Sequence, residues 1–348
     1  MAKQREGGIS WTDETWNPIR GCSRVSEGCR NCYAERTAAF RHSGGGRPYE
    51  GLAVVQNGKP HWTGKIMFVE KHLLDPLRWK GRPLYEPGNP RPVGYEPSLR
   101  IFVNSMSDLF HENVTDEMRN NIFAVMGLCP QHSFQVLTKR PRRMFEYMAS
   151  FSRKDMVNGA IWTQLGSSRG SKIEHGGSWR RPWPLPNVWL GVSVENQKAA
   201  DERIPLLLQT PAAVRFISAE PLLSELDIRV WLKALPKKAG AARLVSGVAF
   251  DIADRILDWV ICGGESGPGA RPMYASWAQS LRDQCVAAGV PYFFKQWGEW
   301  LPAMQDGADN PAVQELNCSD QPIRVGKKAA GALLDGVEWK QFPEVALA

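Results

Sequence analysis

Ile101-Phe102-Val103 runs directly into Asn104-Ser105-Met106-Ser107-Asp108, and the same pattern recurs along the chain. Gln135-Val136-Leu137 leads into Thr138-Lys139-Arg140, Trp189-Leu190-Gly191-Val192 into Ser193-Val194-Glu195-Asn196, and Arg215-Phe216-Ile217 into Ser218-Ala219-Glu220-Pro221. Val260-Ile261-Cys262 leads into Gly263-Gly264-Glu265, and Phe293-Phe294 into Lys295-Gln296-Trp297. Each is a short apolar run, rich in β-branched or aromatic residues, that stops in polar or ionisable ones. Such runs read as buried strands. One polar strand end is ordinarily the cap of the following helix. Six in one chain point to a shared polar pocket, because the C-terminal ends of parallel strands converge on one face.

Working outward, the expected strands are Ile9–Thr12, Ile66–Val69, Ile101–Val103, Phe134–Leu137, Val188–Val194, Val214–Ile217, Trp259–Cys262 and Pro291–Phe294. Helical patterns lie between them at Tyr33–Arg41, Thr115–Leu128, Arg142–Ser150, Ala199–Gln209 and Ser276–Ala288. Asp116 and Glu117 fall in the first turn of the second, where acidic groups are favoured. Strand–helix alternation predicts an α/β fold, a parallel (β/α)8 or partial TIM-type barrel with loop insertions. A doubly wound open sheet is the alternative, although no GxGxxG follows a strand. The insertions are Ser43–Pro60, Arg82–Pro97 and Leu165–Pro186. Residues 1–300 form the expected barrel domain, with a cysteine loop at 22–32. Residues 301–348 form a C-terminal extension packing on it.

The chain has 348 residues, 43% apolar and 23% charged, with Lys+Arg 43 against Asp+Glu 36 and a net charge of +7. These values exclude a disordered or fibrous chain. No apolar run reaches transmembrane length and no signal-peptide core opens the chain, so the expectation is a cytoplasmic protein without a membrane partner. The basic balance suits a nucleic acid or nucleotide. Within Leu165–Pro186, Arg169, Lys172, Arg180 and Arg181 mix with Trp179 and Trp183. That mixture suits phosphate contact with base stacking, or a mobile surface loop. Lys139-Arg140-Pro141-Arg142-Arg143 is the densest basic run. Cations are unfavourable at a helix start, which leans toward an anionic partner.

Seven cysteines, an odd number, argue against a disulfide framework. Cys129 and Cys262 lie in apolar runs, Cys285 on a helical pattern and Cys318 in a loop. Cys22, Cys29 and Cys32 are different: they are spaced x6 and x2 in Gly21-Cys22-Ser23-Arg24-Val25-Ser26-Glu27-Gly28-Cys29-Arg30-Asn31-Cys32-Tyr33. Three thiolates from one loop can cradle a [4Fe–4S] cluster and leave one iron open to a substrate or cofactor. A structural zinc site wants a fourth ligand, for which His42 and His61 are the nearest candidates, neither at a standard spacing. Unmetallated thiols are the third reading.

Ser10-Trp11-Thr12, Trp16-Asn17-Pro18, Gly21-Cys22 and Gly28-Cys29-x2-Cys32-Tyr33-Ala34-Glu35 resemble the opening of the three-Cys-motif proteins of phages and prophages. The resemblance continues through Asn104-Ser105-Met106-Ser107-Asp108, Leu137-Thr138-Lys139-Arg140-Pro141, Ser218-Ala219-Glu220-Pro221 and Phe294-Lys295-Gln296-Trp297-Gly298. More distantly, the order of these blocks is similar to spore photoproduct lyase and its radical S-adenosylmethionine relatives. That resemblance implies a [4Fe–4S] cluster on Cys22, Cys29 and Cys32. It also implies S-adenosylmethionine held with Ser105, Lys139 and Ser193, with Tyr33 and Asp108 beside them. Reductive cleavage of that cofactor would start radical chemistry, a lyase or transferase reaction on nucleic acid or a nucleotide. The expected partners are then an external electron donor and a partner protein. Here the first cysteine spacing is x6 where the common radical pattern is x3, and Asn31 stands where an aromatic is usual. Glu195, Glu220, Glu265 and Lys295, all at strand ends, are the candidate catalytic residues. The alternative from another class is a non-catalytic nucleic-acid-binding or interaction protein with a structural zinc or iron–sulfur site.

Overall fold

The structure, a computed structural model, describes residues 9–84, 94–96, 98–167, 181–232, 243–245, 248–250, 256–302 and 321–344. Seven strands form one sheet: β1 (Glu14–Trp16), β2 (Arg100–Val103), β3 (Ser133–Thr138), β4 (Val188–Ser193), β5 (Val214–Ala219), β6 (Trp259–Gly263) and β7 (Tyr292–Gln296). They are ordered in space as in sequence, and every pairing is parallel. The sheet curls into a half-barrel flanked by helices.

The helices among the described residues are α1 (Tyr33–Arg41), α2 (Asp116–Leu128), α3 (Pro141–Ala149), α4 (Arg153–Ser167), α5 (Gln197–Gln209), α6 (Arg229–Leu232), α7 (Ala275–Ala288) and α8 (Lys327–Ala330). Local chemistry sets their ends. Thr115 accepts from the Met118 N–H at the start of α2, and Asn196 from the Ala199 N–H at the start of α5.

Period-two alternation splits each strand between two cores. Ile101, Val103, Phe134, Val136, Leu190, Val192, Ile217, Val260, Cys262 and Phe294 pack with the helices. On the other face Phe102, Trp189, Val214, Phe216, Trp259, Ile261 and Phe293 join Trp11 in a separate, largely aromatic core. A Cβ on Gly191 would stand 2.5 Å from the Phe216 ring, so only glycine on β4 leaves that ring its place. Near the C-terminus the chain runs antiparallel beside β7: Phe294 N–H donates to Trp339 O, and Gln341 N–H to Tyr292 O. Phe342 then packs on Trp259 and Phe293, and the Arg100 guanidinium lies 3.9 Å over its ring. The tail thereby bridges the β7 side of the aromatic core to the β2 side.

Several expectations need correction. Ile9–Thr12 is a turn, with Thr12 N–H donating to Ile9 O; the strand starts only at Glu14, beyond this segment, because Trp11 is drawn into the aromatic core. Ile66–Val69 contributes only Met67–Phe68, paired antiparallel with Ile19–Arg20 outside the main sheet. The main sheet therefore has seven strands among the described residues, with β1 and β7 at its edges. The Ser43–Pro60 insertion leads into a hairpin of Ala53–Gln56 and Lys59–Trp62, and within Arg82–Pro97 the ends Arg82–Leu84 and Gly94–Glu96 pair. Helix α4 was not expected; its apolar periodicity is weak, and Val157 and Ile161 anchor it in the core. Trp183 is not a free stacking residue: it packs on Phe123 and Tyr147 and donates to Met148 O. Arg169, Lys172, Trp179, Arg180 and Cys318 lie outside the described residues. No described helix is long and apolar enough to cross a membrane.

Candidate functional site

The carboxyl ends of β2 to β7 open onto a cavity of about 230 Å3. Asn104, Ser105 and Asp108 line it beyond β2, Thr138 and Lys139 at β3, and Ser193 at β4. Ser218 and Glu220 follow at β5, Gly264 and Glu265 at β6, and Lys295 and Gln296 on β7. The loop after β1 adds Cys22, Cys29, Cys32 and Tyr33. The three cysteines, the nearest of them 188 residues before Glu220 in sequence, thus share one chamber with the strand ends.

The cysteine loop is tied down at several points. Asn17 Oδ1 accepts from Ser105 Oγ and Met106 N–H, joining the ends of β1 and β2. Gly21 bridges to Ser107, continuing that parallel pairing. With φ +89, and the Lys65 carbonyl 2.2 Å from where a Cβ would stand, Gly21 admits no other residue without a shift. Glu35, buried on α1, binds the Arg24 guanidinium at 2.6 Å and accepts from Trp62 N–H.

The expected acidic residues are each engaged. Asp108 accepts from Thr138 Oγ1 at 2.8 Å, from Phe110 N–H, and from Arg140 Nη1 at 3.0 Å. Arg140 also reaches Glu112 and donates through Nη2 to Ser23 Oγ and the Ser23 carbonyl, beside Cys22. His111 Nε2 meets the same Ser23 Oγ at 2.9 Å. Burial, with Arg140 adding to it, holds the His111 pKa below its usual value, so the ring is neutral near pH 7. Glu195, 1% exposed, pairs with Arg203 at 2.9 Å and accepts from Gly28 N–H. It is absent from the cavity wall and supports the loop from behind Gly28. Glu265 lines the cavity but is bound by Arg271 at 2.7 Å and by Asn31 at 2.9 Å. Burial opposes ionisation of both, but Arg203 for Glu195, and Arg271 with Asn31 for Glu265, bring their carboxyls below the ordinary range. Glu220 forms a 2.7 Å ion pair with Lys295 inside the cavity and accepts from Ser218 Oγ.

Of the basic run, Arg140 and Arg143 turn inward, Arg143 donating to the Phe110 and Glu112 carbonyls. Only Lys139 faces the cavity among its lysine and arginine side chains besides Arg140. Its charge acts on both Cys32 and Glu195. Two of the cations at the start of α3, Arg140 and Arg143, are thus matched by carboxylate and carbonyl partners within the chain, and Arg142 is exposed.

The donor set at the mouth is three thiols. Burial pushes Cys22 up to about 12, with Asp108 adding and Arg140 opposing, and burial raises Cys32 as well. Binding a metal there must displace protons. No three His, Cys, Asp or Glu side chains among the described residues are grouped to hold one metal ion. Zinc needs its thiolates about 2.3 Å from a common centre. Thiolates on a cluster grip different iron atoms and stand farther apart, and an all-sulfur donor set suits iron–sulfur chemistry. Cys129, Cys262 and Cys285 are buried in the helix-side core.

The sequence patterns assign no role to Asn31, Asn17, Arg203 or Arg271, which the structure places in contact with the site. Asn31 sits between two of the singled-out cysteines, which is a usable signal. The arginines carry none, because each partner lies six or eight residues back at a strand end, outside the arginine's own element.

Fold and site define an α/β protein with a parallel half-barrel sheet and a cysteine-bearing loop facing its strand ends. Over residues 6–343 the chain matches the family described as Protein of unknown function (DUF5131), and it belongs to that family. No curated protein and no solved structure matches it.

Proposed function

We propose that this protein is an iron–sulfur enzyme of the radical S-adenosylmethionine type, built on a partial TIM-type barrel and acting on nucleic acid or a nucleotide. The observation that carries the reading is the meeting of Cys22, Cys29 and Cys32 with Lys139, Ser105 and Ser193 around one cavity at the ends of parallel strands. Cys22, Cys29 and Cys32 would hold a [4Fe–4S] cluster, and S-adenosylmethionine bound beside it would supply a 5′-deoxyadenosyl radical on reduction by an external electron donor. Lys139 carries the charge suited to the carboxylate of that cofactor. Ser105, fastened to Asn17, and Ser193 offer polar groups on either side of it. Tyr33 donates to the Ser105 carbonyl and so orders the same wall. Asp108 accepts from the Lys139 N–H at 3.3 Å and positions that residue rather than meeting substrate itself.

Glu220 and Lys295 are the ionisable pair left facing the cavity beyond these groups. They are suited to anchor substrate or move a proton. Glu195 and Glu265 serve the site by holding the cysteine loop through Gly28 and Asn31. Free, unpaired cysteines suit the reducing cytoplasm.

Anaerobic reconstitution with iron and sulfide, followed by reduction in the presence of S-adenosylmethionine, tests the reading. The expected outcome is a brown protein holding about four iron per chain and releasing 5′-deoxyadenosine. A fully loaded cluster that yields no 5′-deoxyadenosine overturns the radical assignment. Stoichiometric zinc without iron in anaerobically purified protein favours instead a non-catalytic binding protein with a structural metal.

A further inference from the structure

The net charge is concentrated. Between Arg20 and Lys65 the chain carries eight Lys or Arg against three Asp or Glu, a net +5 of the total +7. This stretch is a unit of its own, in which α1 packs through Ala38 and Ala39 on Tyr49, Leu52 and Ala53. Of its cations, Arg24 is neutralised by Glu35. Arg30, Arg36, Arg41, Arg47, Lys59 and Lys65 are exposed, and none has a carboxylate partner among the described residues.

Exposed aromatic rings lie among these charges. Tyr33 is 50% exposed and Phe40 47% exposed. Tyr33, Arg36 and Phe40 are spaced i, i+3 and i+7, so they share one face of α1. The Arg36 guanidinium sits 5.3 Å over the Phe40 ring. Tyr33 also lines the cavity, so this face begins at the cavity mouth and leads away from it for about 10 Å, at 1.5 Å per residue.

We propose that the outer face of α1 is a docking track for a single nucleic-acid strand. Arg30, Arg36 and Arg41 meet its phosphates, and Tyr33 and Phe40 stack its bases on the way into the cavity. The track takes from the reading above only what happens in the cavity; the surface itself argues for the strand. Cations alone would also attract an acidic protein, but ring faces interleaved with guanidinium groups offer stacking that only unpaired bases use repeatedly. A duplex keeps its bases stacked on one another, so it gains the charge term and loses the aromatic one.

The test is fluorescence anisotropy of the full-length protein with a labelled oligonucleotide of about twelve residues, as DNA and as RNA, over a salt series. Phe40→Ala is expected to weaken binding about ten-fold with the salt dependence unchanged. Arg36→Gln is expected to make the log–log salt slope shallower by about 0.7. Lys154→Gln, an exposed cation on α4, is expected to change neither. A duplex of equal length should compete less well. Absence of binding at low salt overturns the proposal, as does binding of an acidic protein without the oligonucleotide. So does a Phe40→Ala protein that binds like wild type, or equal losses for Lys154→Gln and Arg36→Gln. All these side chains are exposed, and circular dichroism checks the fold of each variant. The assay needs no cluster: binding without cluster chemistry would sink the radical reading and leave the track, and the converse would sink the track alone.

Discussion

Arg140 Nη2 donates to Ser23 Oγ at 2.8 Å, tying the residue after Cys22 to the end of β3. The same guanidinium neutralises Asp108, and both side chains are buried. One arginine therefore connects the strand-end chemistry to the cysteine loop. Arg140→Met leaves Asp108 buried without its cation and Ser23 without its donor. The expected cost is about 3–5 kcal/mol in urea unfolding. Iron retained after reconstitution should fall as well. Unchanged stability would show that Asp108 is solvated in solution.

Acid sensitivity follows from the Glu195–Arg203 pair. The folded-state pKa of Glu195 lies below its ordinary 4.5. Its contribution is therefore fully present above about pH 4.5 and is lost as pH falls through the lowered folded value. Glu265, lowered by Arg271, acts in the same direction. Unfolding free energy measured from pH 6 to pH 3 should drop in the wild-type protein, and Glu195→Gln should flatten that drop while lowering stability at neutral pH. Parallel profiles would exclude Glu195 as a source of the acid lability.

Gly191 and Phe216 make a paired steric prediction. The Cβ of Gly191→Ala would sit 2.5 Å from the Phe216 ring. Overpacking of this kind costs about 1–3 kcal/mol. Adding Phe216→Leu should recover part of that loss, whereas Phe216→Leu alone should destabilise. A double-mutant cycle without coupling would refute the contact.

The cysteines separate into two groups with different expected behaviour. Cys22→Ala, Cys29→Ala and Cys32→Ala should each abolish stable iron binding with little change in the thermal unfolding of the metal-free protein. Cys129→Ala and Cys285→Ala, in the helix-side core, should keep iron and lose about 1 kcal/mol of stability from the small void. Iron retained equally in both groups would remove the cluster from the site.

Much of the sheet was legible in the residues. Strand runs buried on both faces are continuously apolar, and six of them were found close to their observed limits. Tyr33–Arg41 and Asp116–Leu128 were equally plain, the latter because Thr115 and its acidic first turn mark a start. β1 starts at Glu14 rather than Ile9 because Trp11 looks like a strand residue and is instead an aromatic plug. Ile66–Val69 looked like the other strands because a two-residue pairing leaves the same apolar trace as a barrel strand. The polar strand ends were recognisable as a group, yet their individual partners were not. Arg203 for Glu195 and Arg271 for Glu265 come from helix or loop positions that carry no pattern.

Local chemistry, by itself, determined the alternation of strands and helices, the polar character of the strand ends and the clustering of three thiols in one loop. These properties depend on neighbours within a few residues, so they can be read along the chain. Which carboxylates are bound to arginine, and that Glu220 pairs instead with Lys295 inside the cavity, was decided only by the tertiary structure. So were the seating of the cysteine loop over the strand ends and the closing of the aromatic core by Phe342. Ion pairing and ring packing act through space over a few ångströms, and the partners are brought within that reach only once the sheet has curled.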